Sequence, residues 1–346
     1  MRRKKPNSDL KMYFSIRARY QAKRRTIKWK TRKKNKKKHL HDRYVKQQIQ
    51  QSKPLTDHQA PKEFSFVHNT NLVLKYFTEA EELFKAKHRL NLNIDDIETL
   101  TPDAISLLVA SVNDKNFHHN SGYVGDAPKK PELKKLFKES GFYNFVNNRG
   151  FKRTANGNLL HREMHTKVMP VLAMNAALTG IRHTFGNEEP YEPLYDILIE
   201  CMSNTNNHAS LKSSEKCNWW LYVYNDPITK NSSYSFLDLG VGIFDSVVVQ
   251  GYFKTLLKGT IVYKNIKIVD DLLAGKIQSR IDEDNEIRGK GIPQIVEYSK
   301  RRTFKEFYII TNDVKINLKT AEKEQLDYNF KGTFLYWEIQ DTKNLE

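Results

Sequence analysis

Pro193-Leu-Tyr-Asp-Ile-Leu-Ile-Glu-Cys-Met-Ser-Asn-Thr-Asn-Asn-His-Ala209 holds apolar residues at 194, 197, 198 and 201 and polar ones at 200, 204 and 208. Spacings of three and four are helical, so Leu194, Ile197, Leu198 and Cys201 make a stripe for a core, while Glu200, Asn204 and His208 share another face. A carboxylate and an amide one turn apart have complementary chemistry. Glu200 can orient a water as general base, and the Asn204 side-chain oxygen can complete the shell of a phosphate-bound Mg2+ ion. Taken alone, the same spacing describes any amphipathic helix.

Three further stretches bear on that choice. Ser235-Phe-Leu-Asp-Leu-Gly-Val-Gly-Ile243 follows an alternating strand, Trp219 to Tyr224. Asp238 ends its apolar run, and Gly240 and Gly242 permit close backbone approach because they lack Cβ. A carboxylate at a strand end beside such a loop can accept the exocyclic amine of adenine; a tight turn is the plainer reading. Arg288-Gly-Lys-Gly-Ile-Pro-Gln-Ile295 runs into a helix expected from Pro293 to Ser299, whose free amides, with Arg288 and Lys290 alongside, suit a phosphate. It lacks the spacing of a Walker-type phosphate loop. Finally, Gly332-Thr333 opens an expected strand, Phe334 to Ile339, where the Thr333 hydroxyl can support Asp238 directly or through water.

In this order the four stretches resemble the N box, the two glycine boxes and the Gly-Thr box of the GHKL ATPases, the family of gyrase, mismatch-repair ATPases, heat-shock chaperones and histidine kinases. The resemblance spans about residues 160 to 340. It implies ATP and Mg2+ as cofactors and a two-layer α/β sandwich of the Bergerat type, a mixed sheet with helices on one face. It makes Glu200 the general base, Asn204 the magnesium ligand and Asp238 the adenine-binding carboxylate. Gly240, Gly242, Ile243, Arg288, Gly289, Lys290, Gly291 and Ile292 line the nucleotide, and Thr333 belongs to its adenine end. His208, at a variable position after the Asn, is a partner of phosphate or of Glu200, or else structural. Residues 246 to 287 are too long for a bare connection and read as a lid, ordered in part around Ile261 to Val269.

Upstream, Asn71 to His88 has helical periodicity and Leu90 to Ile94 alternates like a strand. Thr101 is placed to cap a helix from Ala104 to Val112 with Pro102 in its first turn, and Glu132 to Ser140 is a third amphipathic helix. This order resembles STAS-like domains, the fold of anti-sigma-factor antagonists. The resemblance puts Asp103 where antagonists carry a phosphorylatable serine; a fixed charge favoured by the helix dipole is the alternative. Residues 151 to 190 predict one long helix, Leu160 to Ile181, with Pro170 near its middle.

Charge divides the chain differently. The net charge is +18, yet residues 1–50 hold 20 of the 58 Lys/Arg and 2 of the 40 Asp/Glu, so the rest is balanced. A basic arm thus precedes a neutral body, and the expected division is 1–60 arm and linker, 61–150 STAS-like domain, 151–346 ATPase domain. The arm interleaves cations with Tyr13, Tyr20 and Trp29, which fits DNA or RNA; a solubilising or partner-docking tail is the alternative. Two cysteines without zinc spacing point to a reducing compartment. No run approaches the roughly 18 apolar residues of a membrane span, and no apolar stretch follows the basic start as in a signal peptide. A cytoplasmic protein without membrane contact is the expectation.

Gyrase-like relatives add a transducer domain after the Gly-Thr box, and 13 residues follow Thr333 here. Histidine kinases need a phosphoacceptor helical hairpin, which a helix interrupted by Pro170 does not provide. The first expectation is therefore an ATPase acting as a nucleotide-controlled switch on a protein or nucleic-acid partner. A serine/threonine protein kinase of the anti-sigma type and a non-catalytic ATP-binding protein are the alternatives. The protein partner, and whether the chain forms a homodimer, are left open.

Overall fold

The computed structural model describes residues 17, 21–26, 28–34, 54–146, 159–164, 168–208, 218–246, 264–276 and 291–342. Contacts divide the chain into Met1–Leu55 and Thr56–Glu346. In the first part, residues 21–26 and 28–34 are helical and exposed. The second is α/β, with both parallel and antiparallel pairing.

Strand β1 (Leu55–Gln59) leads to helix α1 (Thr70–Lys85), β2 (Arg89–Asn93), α2 (Pro102–Asn113), β3 (Tyr123–Gly125) and α3 (Pro131–Glu139). The strands form a sheet in the order β1-β2-β3, with β2 and β3 parallel. Thr101 precedes α2 but makes no side-chain cap; its hydroxyl is turned 3.4 Å from the Phe64 carbonyl instead. Asp103, in the first turn, is buried and its Oδ2 accepts the Val67 N–H at 2.8 Å, fixing the turn that leads into α1.

The long helix expected from Leu160 to Ile181 is corrected. Residues 159–164 form strand β4 (Leu159–Met164), and Pro170 opens helix α4 (Pro170–Phe185). Proline lacks an N–H and clashes in a helix interior, but its fixed φ suits the first turn, where that N–H has no partner. Helix α5 (Glu192–His208) follows, then β5 (Asn218–Asn225), β6 (Ser232–Asp238) and the single turn α6 (Ile243–Ser246). After α7 (Val269–Leu273) and α8 (Gly291–Ser299), the chain closes with two long strands, β7 (Phe304–Asn317) and β8 (Lys323–Ile339).

Five strands pair in the order β4-β5-β6-β8-β7, every pair antiparallel. The expected mixed sheet is corrected accordingly. Short turns join β5 to β6 and β7 to β8, and a tight turn between neighbours reverses the chain. Alternation then sorts the side chains by face. Trp219, Leu221, Phe236 and Trp337 enter a core with α4, α5 and α8, whereas Trp220, Tyr222, Leu237 and Phe334 enter a second core with α1 and α2.

The sheet therefore lies between two helical layers, not under one. An aromatic second face must be buried, and the residues before β4 bury it. Phe66 packs edge-on against Phe334, with centroids 4.8 Å apart, and also meets Phe330 at 5.4 Å. Asn71 Oδ1 accepts the Asp327 N–H at 3.0 Å, and Lys331 Nζ donates to both Glu81 oxygens at 2.7 and 2.9 Å. Among the described residues no helix is long and apolar enough to cross a membrane.

Candidate functional site

Helix α5 buries Leu194, Ile197, Leu198, Cys201 and Met202 and leaves Glu200 and Asn204 half-buried on its other side. Burial, and secondarily the Asp196 carboxylate one turn earlier, push the Glu200 pKa up. Helix α8 starts against this face. A Cβ on Gly291 would run into Glu200 Oε2 and stand 3.8 Å from Asn204 Nδ2, so the absence of a side chain lets the helix start meet both groups. The two helices are also fastened together: Tyr298 Oη donates to Asp196 Oδ2 at 2.7 Å and accepts from Gln294 Nε2 at 2.9 Å.

Asp238 ends β6 on the same side of the sheet, one residue past the inward-turned Leu237. It is 4% exposed, and burial raises its pKa to about 6, offset in part by hydrogen bonds from Gly240, Thr205 and the Thr333 backbone. Gly240 N–H donates to Oδ1 at 2.8 Å and the Thr205 hydroxyl to Oδ2 at 3.2 Å. Thr205 follows Asn204 on α5, so one residue step links the helix face to the buried acid.

Thr333 lies directly opposite Asp238 in the β6–β8 pairing. Its neighbour Gly332 has φ 138°, and a Cβ there would overlap the Asp238 carbonyl. The β7–β8 register is irregular between Phe330 and Thr333, where this close approach occurs. Gly242, with φ 82°, is equally constrained, because a Cβ would enter the Asn312 side chain.

Thr311 and Asn312 of β7 hold the loop after Asp238. The Thr311 hydroxyl accepts from Ile243 N–H and donates to the Gly332 carbonyl, both at 2.9 Å. Asn312 Oδ1 accepts from Phe244 N–H at 3.1 Å while Nδ2 donates to the Val241 carbonyl at 3.0 Å. Neither residue was read from the sequence, nor were Thr205, Asp196, Gln294 or Tyr298. The polar Thr311-Asn312-Asp313 interrupting an apolar strand was the available signal.

Of the expected site residues, Glu200, Asn204 and Gly291 come together, with Ile292 next along α8; Asp238, Gly240, Gly242, Ile243 and Thr333 form a second group joined to the first through Thr205. Arg288, Gly289 and Lys290 lie outside the described residues, as does the His208 side chain at the end of α5. Of the expected lid, residues 246 and 264–276 are described, the latter containing α7. No three or more His, Cys, Asp or Glu gather as a metal site among the described residues. A Mg2+ ion held by one side-chain oxygen, phosphates and water needs no such cluster. No protein-family model matches the chain, and no curated protein matches it.

Proposed function

We propose that the chain binds Mg-ATP between α5, α8 and the adjoining ends of β6 and β8, and hydrolyses it as a switch acting on a partner. The observation that carries this reading is the meeting of Gly291, at the start of α8, with Glu200 and Asn204 of α5. A helix start, whose first amides lack partners within the helix, together with a carboxylate and an amide side chain is a suitable set for a terminal phosphate, its metal and an attacking water.

Asp238 accepts the adenine amine, with Thr205 and Gly240 holding its oxygens. Asn204 would hold Mg2+ through its side-chain oxygen. The ion neutralises phosphate charge when bound. Glu200 takes a proton from the water whose oxygen forms a bond to the terminal phosphorus as the bond to the ADP oxygen breaks. A carboxylate whose pKa is raised is a better base near neutrality.

The switch reading is supported by β8, which carries Thr333 on the site side and Phe330, Lys331 and Phe334 in contact with Phe66 and Glu81 on the other. Movement at the adenine end reaches α1 through residues adjacent in sequence. Mg-ATP titration of the wild type and Asp238→Ala, scored for binding and for phosphate release, tests the proposal. Loss of binding in Asp238→Ala is the expected result, and equal affinity overturns it. Phosphate recovered on a protein rather than in solution replaces hydrolysis with the kinase reading.

A further inference from the structure

Within residues 21–34, eight of fourteen side chains are Lys or Arg and none is acidic. The described residues of this helix are all exposed, Trp29 at 59%. At 100° per residue the cations of residues 28–34 encircle it: Lys28 and Arg32 on one side, Lys30 and Lys34 opposite, Lys33 between them. Trp29 lies between Arg32 and Lys33 around the helix, and Lys33 Nζ sits 4.9 Å from the ring centroid. Like charges four apart, such as Lys28 with Arg32 and Lys30 with Lys34, oppose the helix. A helix of this length is marginal by itself.

A partner that stabilises it must therefore supply negative charge around its circumference. An anionic bilayer is a plane, matched by a helix with one cationic and one apolar face. Ala22, Ile27 and Trp29 are the only apolar residues between positions 21 and 34, too few for the apolar face that such a helix needs. The major groove of duplex DNA, about 12 Å wide, accepts a helix about 10–12 Å across and has phosphates along both walls. The major groove of duplex RNA is too narrow and deep for this.

We propose that residues 21–26 and 28–34 bind duplex DNA by lying in its major groove, with cations on both phosphate walls and Trp29 against the base edges. This stands independently of the nucleotide site. The test titrates the full chain against labelled duplex DNA, the same sequence single-stranded, duplex RNA and anionic phosphatidylserine vesicles, over a range of salt concentrations. Duplex DNA is expected to bind tightest, with affinity falling on a log–log plot by about 0.9 per phosphate contacted. Lys28→Ala and Arg32→Ala should each lower that slope by about 1. Duplex DNA should change tryptophan emission in the wild type and not in Trp29→Phe. The melting temperature of each variant, matched to wild type, shows that the body is intact. Tighter binding to vesicles, RNA or the single strand overturns the proposal, as does an unchanged slope in the Lys28→Ala/Arg32→Ala double variant or a retained emission change in Trp29→Phe.

Discussion

Asp238 carries opposing demands on one carboxylate. Its pKa rises from 3.8 to about 6 on folding because it is buried, so the folded chain holds the proton more tightly than the unfolded chain. The sign follows: this contribution to stability is full below about pH 4 and is lost as pH rises through about 6, a change on the order of 3 kcal/mol. Asp238→Asn keeps an acceptor for Gly240 and removes the buried charge. It should melt higher than wild type at pH 8, with the difference shrinking toward pH 4, while losing Mg-ATP binding; a lower melting temperature at pH 8 contradicts burial as the cause. In the wild type, affinity for Mg-ATP should weaken by up to about tenfold per unit below about pH 6, as the accepting carboxylate protonates. Glu200→Gln has a different signature: binding retained and phosphate release slowed by roughly 10²–10⁴-fold, the usual worth of a general base.

At the level of elements, two contacts hold the site's parts at their distances. Tyr298→Phe removes the hydroxyl that joins α8 to Asp196 of α5 and should cost about 1 kcal/mol in chemical denaturation. Gly332→Ala is more severe, because β8 would have to leave the Asp238 carbonyl and an L residue would occupy φ 138°. Strain alone is worth about 1–3 kcal/mol, and a melting temperature equal to wild type would exclude the close approach. The elements were largely legible. Leu194, Ile197, Leu198 and Cys201 predict a buried stripe and are buried, and Asn71 to His88 predicts the helix found at Thr70–Lys85. Pro170 opens α4 instead of interrupting a longer helix, and Thr101 stands at the N-cap of α2 with its hydroxyl turned to Phe64, since a residue's type says what it can do at a helix start but not which partner the fold gives it.

For the whole molecule, the aromatic seam around Phe66 decides behaviour. Because α1 and α2 share a core with β5, β6, β7 and β8, residues 56–346 should unfold in one cooperative calorimetric transition. Phe66→Ala opens a cavity beside Phe330 and Phe334 and should destabilise the chain by about 3–5 kcal/mol. Two separated transitions in the wild type would show that the shared core does not couple the halves.

What the sequence determined by itself is what repeats over short spacings. Helical and alternating periodicities located α1, α3, α5, β2 and β5, and glycines beside polar residues marked where backbone approaches something closely. Such patterns are local, because a residue's own neighbours decide which face it presents. The tertiary structure alone decided that Thr205 reaches Asp238, that Thr311 and Asn312 hold the Gly242 loop, and that the second sheet face is covered by α1 and α2. Those contacts join residues far apart in the chain, and spacing along a chain carries no information about which distant surfaces will bury one another.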